Sequence, residues 1–196
     1  MDKAVEVYGL ILAGGESRRM GHDKAVIDYH GIPQILWAYE LLQRHLPKVY
    51  LSVRAEQEGE PVRASLPQIH DKGITSGPLD GIVSAMQTHP RVAWLVIACD
   101  LPWLDDAGIE HLLSERAPTA MASAFVSVHH PGLPEPLCAI WEPASRSVVD
   151  EAIAIDRRCP RKILINTDTR LVEQLDPRSM DNINHPEELQ QIRKQK

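Results

Sequence analysis

The 196-residue chain predicts an α/β fold, a doubly wound and mostly parallel sheet with helices on both faces. Two of the observations behind this are apolar runs: Val5 to Leu12 and Ala93 to Asp100 are almost wholly apolar, the pattern of strands covered on both sides. The third is that the segments between and after them switch to a spacing near 3.6 and open with proline or acidic residues. The first half then alternates as β-α-β-β-α-β-α. Right-handed crossovers in such a sheet place ligands beyond the carboxyl ends of the strands.

The elements follow in order. After the first strand, Pro33 suits a first helical turn, and Ile35, Leu36, Tyr39, Leu42 and Leu46 mark the expected buried stripe. Lys48 to Val53 reads as a second strand and "LPQIH" as a short third. "SGPLDGIVSAMQTH" starts a helix at Pro78, with Leu79, Ile82, Val83 and Met86 on its core face. Beyond Asp100, "LPWLDDAGIEHLL" resumes helical spacing after an acidic first turn. The second half is less regular: "TAMASAFVSV" and "PLCAIW" predict strands around the loop "HHPGLPEP", with a helix from about Pro143 to Ile155. "NINHPEEL" has the residues of a helix start, Asn184 or His185 as cap and Pro186 early.

Composition narrows the function classes. A chain of this length, 43% hydrophobic, is expected to form one domain over residues 1–196. A net charge of -6 argues against a nucleic-acid partner. Cys99, Cys138 and Cys159 are odd in number and lack a CxxC pair, which argues against a disulfide framework or structural zinc and fits a reducing cytoplasm. No apolar run reaches the roughly 18 to 20 residues of a membrane span, so no membrane contact is expected.

The chemistry concentrates in "LILAGGESRRMGHDK". Gly14 and Gly15 follow a buried strand, where bare backbone lets an anion approach N–H groups, and Arg18, Arg19 and Lys24 supply the charge that a polyphosphate needs. Neither the Walker A pattern nor GxGxxG is present. Taken singly, the glycines also suit a plain turn and the cations a solvated surface. Asp100 closes the second apolar run at the same strand edge, where a carboxylate beside phosphates suits Mg2+; its other reading is a cap on the turn into "LPWL". His129 and His130 adjoin a Pro-Gly turn and read as exposed loop, while His22 lies inside the phosphate loop. Trp94 and Trp141 read as core, and Trp103 as the tryptophan placed to line a cleft.

With "GPLDGI", "ACDLPWL", "EPLCAIWEP" and "NINHPEEL" in order behind "LAGGESRRMGHDKA", the chain resembles the molybdenum cofactor guanylyltransferase family. The resemblance spans nearly the whole chain and implies a Rossmann-like sheet of the nucleotide-diphospho-sugar transferase type. It implies that the N-terminal half binds GTP and the C-terminal half binds molybdopterin or Mo-molybdopterin, with possible docking to molybdoenzyme-maturation proteins. By position, Leu12, Ala13, Gly14 and Gly15 would meet the nucleotide, Arg19 and Lys24 its phosphates, and Asp100 a magnesium ion. Asp71 matches a family nucleotide contact, Ser52 stands nearest a family asparagine contact, and Asn182 and Asn184 match an Asn-x-Asn segment in which His185 replaces the usual threonine. Arg19, Lys24 and Asp100 would then carry catalysis. Sugar-1-phosphate nucleotidyltransferases use the same loop logic with a different acceptor, and molybdopterin cytidylyltransferases are the other enzymatic alternative, although they tend to have LAAG and a proline before the lysine where Gly14-Gly15 and Asp23-Lys24 here resemble the guanylyl pattern. A GTP-binding regulator is the non-enzymatic alternative.

Overall fold

The computed structural model describes residues 5–14, 26–28 and 30–181. Its centre is β1 (Val7–Leu12), whose side chains alternate between two cores: Val7 and Ile11 join one, Tyr8 and Leu10 the other. That alternation is what an apolar strand sandwiched between helix layers requires. Seven strands follow the order β3-β2-β1-β4-β6-β5-β7. The remaining strands are β2 (Val49–Val53), β3 (Gln68–His70), β4 (Ala93–Ala98), β5 (Ala122–Val126), β6 (Pro134–Trp141) and β7 (Thr169–Val172). β1 runs parallel to β2 and β4, β2 parallel to β3, and β5 parallel to β7, while β6 lies antiparallel to both β4 and β5. The expected mostly parallel sheet is present.

Helices α1 (Gln34–Gln43) and α4 (Asp106–Ser114) pack on the face carrying Val7, Ile11, Leu51 and Leu95. Helices α3 (Pro78–Thr88), α5 (Ser145–Ala154) and α6 (Pro160–Ile165) cover the other, which carries Leu10, Trp94, Val96 and Trp141. Trp94 and Trp141 face each other across β4 and β6 and are fully buried, so both are core as expected. In α3 all four expected core residues are buried, and Asp80, Gly81, Ser84 and Ala85 are buried with them.

Three expectations are corrected. The buried stripe of α1 is Gln34, Ile35, Ala38, Leu41 and Leu42, and Leu36 and Tyr39 are only half-buried. At the helical period this stripe is centred on Ala38, which leaves Leu36 and Tyr39 beyond its margin. Strand β4 stops at Ala98, so Asp100 stands in the turn beyond it and not at the strand's end. The second half also holds α6 and β7, and β2 and β3 are joined through the four-residue helix α2 (Pro61–Ala64), none of which the spacing predicted.

Candidate functional site

The carboxyl ends of β3, β2, β1 and β4 lie side by side, and the chain leaving each supplies one part of the site. From β1, Ala13 donates its N–H to the Ser52 carbonyl at 3.2 Å, and the Leu12 carbonyl accepts the Cys99 N–H at 3.4 Å. The backbone from Leu12 to Gly14 is thereby gripped by the strand on each side. A third hold comes from α2. Glu60 caps that helix, accepting from Val62 N at 3.1 Å and Arg63 N at 3.0 Å, and pairs with Arg63 Nη1 at 3.4 Å. Arg63, 1% exposed, then donates Nη2–H to the Ala13 carbonyl at 3.2 Å. A buried guanidinium is costly to desolvate, so satisfying it on a loop carbonyl fixes that carbonyl firmly.

Asp71 leaves β3 with its N–H on the Val53 carbonyl at 2.9 Å, and its Oδ1 accepts the Ser52 hydroxyl at 2.6 Å. Its other oxygen lies 3.2 Å from where a Cβ on Gly14 would stand, with Arg54 Cγ at 3.5 Å and Gln57 Oε1 at 3.7 Å. A side chain at position 14 would crowd that carboxylate, which is the local reason for glycine. Burial pushes the Asp71 carboxyl above its ordinary range; the Ser52 hydroxyl pulls the other way, Asp80 adds to the rise, and Arg54 and His70 oppose it. Ser52 is buried and acts here as the support of Asp71.

"GPLDGI" turns out to be a structural joint. Asp80 in the first turn of α3 accepts the N–H groups of Gly73, Ile74 and Thr75 at 2.9, 2.8 and 3.1 Å, tying down the loop that follows Asp71. The next residue, Gly81, sits against β1 and β2: a Cβ there would come within 2.9 Å of Leu12 Cδ2 and closer still to Ser52 Oγ. Spacing alone marks α3 as a core helix and gives no sign of either role. The signal that could have found them is an acid and a glycine interrupting an otherwise apolar helical face.

On the β4 side, Asp100 follows Cys99, whose N–H is bonded to Leu12, so the acid leaves the sheet next to the Gly14 backbone. Leu101 and Leu104 anchor its loop in the core, and Asp105 caps α4 by accepting from Gly108 N at 2.9 Å. The Pro102 carbonyl meets His30 Nε2 at 3.0 Å, and His30 stacks on Trp37 with ring centroids 4.4 Å apart. Trp103 lies under the Arg178 guanidinium at 5.5 Å. From the second half, the hairpin after β5 overhangs the same edge. His129 there is 65% exposed and pairs with Asp181 Oδ1 at 3.3 Å. His130 is exposed too, so both histidines are loop residues as read. Cys99, Cys138 and Cys159 are free thiols.

The structure thus brings Leu12, Ala13, Gly14, Asp71 and Asp100 to one strand edge. Gly15, Arg19, Lys24, Asn182 and Asn184 lie outside the described residues, as does His22. Arg63 and Arg54 were not foreseen, because only the folded chain shows what a single arginine reaches. Among the described residues no group of three or more His, Cys, Asp or Glu could hold a metal. A single carboxylate fits Mg2+ when phosphate oxygens complete the coordination, and it fits a protein-only site poorly.

The MobA-like NTP transferase domain family matches residues 9–177. The chain is 38% identical over 187 residues to the molybdenum cofactor biosynthesis bifunctional protein of Synechocystis sp., covering 95% of this chain and 53% of that protein, so it spans about half of that relative's length. It is 30% identical over 207 residues to the probable molybdenum cofactor guanylyltransferase of Natronomonas pharaonis, covering 96% of this chain and 97% of the relative. Among solved structures, molybdopterin-guanine dinucleotide biosynthesis protein A from Archaeoglobus fulgidus superposes with a TM-score of 0.77 at 22% identity, covering 95% of this chain and 97% of that one. CMP:2-keto-3-deoxy-manno-octonic acid synthetase in complex with CTP superposes with a TM-score of 0.76 at 15% identity, over 97% and 98% of the two chains, and so shares the fold. On the family match and the full-length relative together, the chain belongs to the MobA-like NTP transferase family.

Proposed function

We propose that the protein transfers GMP from GTP to the terminal phosphate of molybdopterin, or of Mo-molybdopterin, in the cytoplasm, forming the guanine dinucleotide and releasing pyrophosphate. The observation that supports this most is the strand-end arrangement: a gripped, side-chain-free backbone at Gly14 flanked by Asp71 on one side and the Asp100 loop on the other. In the reaction a phosphate-monoester oxygen of the acceptor forms a bond to the α-phosphorus of GTP as the bond to the β-phosphate oxygen breaks. Such a monoester has a second pKa near 6 and is already largely dianionic at neutral pH, so no general base is needed. The protein's work is to position reactants and stabilise charge. Backbone N–H groups around Gly14 and Gly15 would cradle the phosphates, and Arg19 and Lys24 would offset the charge gathering on pyrophosphate. Asp100 would hold Mg2+, which when bound screens charge on the phosphate oxygens. Asp71 would accept hydrogen bonds from the nucleotide. Partner docking toward molybdoenzyme maturation would follow from this role.

Pyrophosphate release with GTP or CTP and Mg2+, each with and without molybdopterin, tests the reading. Release with GTP only when molybdopterin is present is the expected result. Release with CTP instead would identify a cytidylyltransferase, and release with a sugar 1-phosphate as acceptor would identify that class. Saturable GTP binding with no release under any condition would leave a regulator.

A further inference from the structure

We propose that Arg54 is the residue that reads the base of the nucleotide, donating to O6 and N7 of guanine; this rests on the GTP reading above and deepens it. Across the strand edge the order is Asp71 after β3, Arg54 after β2, Gly14 after β1 and Asp100 after β4. Neighbouring strands are about 4.8 Å apart, so the β3 and β4 ends are separated by about 14 Å, enough for a nucleotide laid along the edge. With the phosphates at the Gly14 backbone and Asp100, the base falls over the ends of β2 and β3. Arg54 and Asp71 stand on the β2 and β3 side of the Gly14 backbone, with Arg54 Cγ at 3.5 Å and Asp71 Oδ2 at 3.2 Å from the place of a Gly14 Cβ.

The chemistry of these two groups complements guanine on opposite edges. O6 and N7 are adjacent acceptors that match the fork of a guanidinium, while N1–H and the 2-amino group are donors suited to a carboxylate such as Asp71. Adenine carries an amino donor in place of O6, so the same fork faces a donor and ATP is disfavoured. The guanidinium is also oriented before ligand arrives: Gln57 Oε1 accepts from the Arg54 backbone N–H at 3.3 Å and from Arg54 Nε at 3.4 Å. Holding the arginine in this way reduces the ordering cost of binding.

The test compares GTP with 7-deaza-GTP, in which a C–H replaces N7, by calorimetric binding to the full chain in Mg2+. The unaltered protein is expected to favour GTP roughly tenfold, the scale of one hydrogen bond to a charged group. Arg54→Ala should weaken GTP by roughly 10- to 100-fold and bring the ratio of GTP to 7-deaza-GTP within about twofold of parity. A ratio that persists in Arg54→Ala, or is absent from the unaltered protein, would overturn the assignment; a phosphate-binding or purely structural arginine would weaken both nucleotides equally. Preference of the unaltered protein for CTP would overturn both this inference and the GTP reading. GTP binding without pyrophosphate release would overturn the transfer reaction alone, with Arg54 still decided by the two binding ratios.

Discussion

Gly81→Ala sets two effects of opposite sign against each other. Helix propensity favours alanine over glycine in a helix interior by about 1 kcal/mol. Against that, the added Cβ would lie 3.0 Å from Ser52 Cβ and 2.9 Å from Leu12 Cδ2, with Ser52 Oγ closer still. Ser52 Cβ is anchored to a central strand and cannot rotate aside, so α3 must shift off the sheet. Overpacking of this kind costs about 1–3 kcal/mol, and the net expectation is a loss of up to about 2 kcal/mol. For a chain of this size that is a fall in Tm of up to about 8 °C. Displacing Ser52 also disturbs its 2.6 Å hydrogen bond to Asp71, so GTP affinity should fall together with stability. Urea unfolding and GTP titration on the same variant measure both. The pair Ser52→Ala with Gly81→Ala should recover part of the stability and none of the affinity. A Gly81→Ala protein more stable than the parent by the propensity term would refute the seating of this helix on β1 and β2.

Asp100→Ala should lower turnover by roughly 100-fold or more with the fold intact by circular dichroism, and near-normal turnover would remove its metal role. Asp71 is held above its ordinary value near 3.8, so the folded chain binds that proton more tightly than the unfolded one, and stability falls as pH rises through this range. Asp71→Asn should therefore raise Tm at pH 7, lose the advantage below about pH 3.8 and weaken GTP binding, as thermal scans across pH and a GTP titration would register. Arg63→Ala removes a buried guanidinium from both Glu60 and the Ala13 carbonyl, and should cost about 2–4 kcal/mol by chemical denaturation. At the junction of α1 and α4, Arg44 and then His45 hold Asp106 down at about 2. This lowered acid stabilises the fold above its ordinary value of 3.8, a contribution lost as pH falls towards about 2. Arg44 and Asp106 are 50% and 52% exposed, so solvent screening limits the pair to about 0.5–1 kcal/mol, read as the stability gap between parent and Arg44→Ala at pH 7 and its disappearance in acid.

The apolar runs that become β1 and β4 were legible because a strand buried on both faces cannot hide its composition. Pro78 and the face from Leu79 to Met86 announced α3 in the same way. By contrast, β7 has a single buried residue, Val172, and lies on an edge, so its four residues carry no alternation to read. Helix α6 is six residues long, shorter than two full turns of any period. Within the site, residue chemistry singled out Gly14 and Asp100, the latter in the turn beyond β4 and not at its end, whereas Asp71 was marked only by family resemblance. The Arg63 contact with Ala13 spans 50 positions, and the Ser52 contact with Asp71 spans 19; neither pairing leaves a local pattern.

The reversed direction of β6 has an evolutionary corollary. Because β5 and β6 are antiparallel, they are joined across the top of the sheet by the short bend at 127–133, pinned where Ser127 N–H meets the Leu133 carbonyl at 2.7 Å. A crossover helix at this place would have to be re-threaded whenever the connection changed. A bend can lengthen, shorten or be exchanged with the rest of the sheet left standing. Descendants of one nucleotide-binding half could thus acquire new acceptors by remodelling a few exposed residues, which is a route by which a single scaffold comes to serve unrelated small molecules.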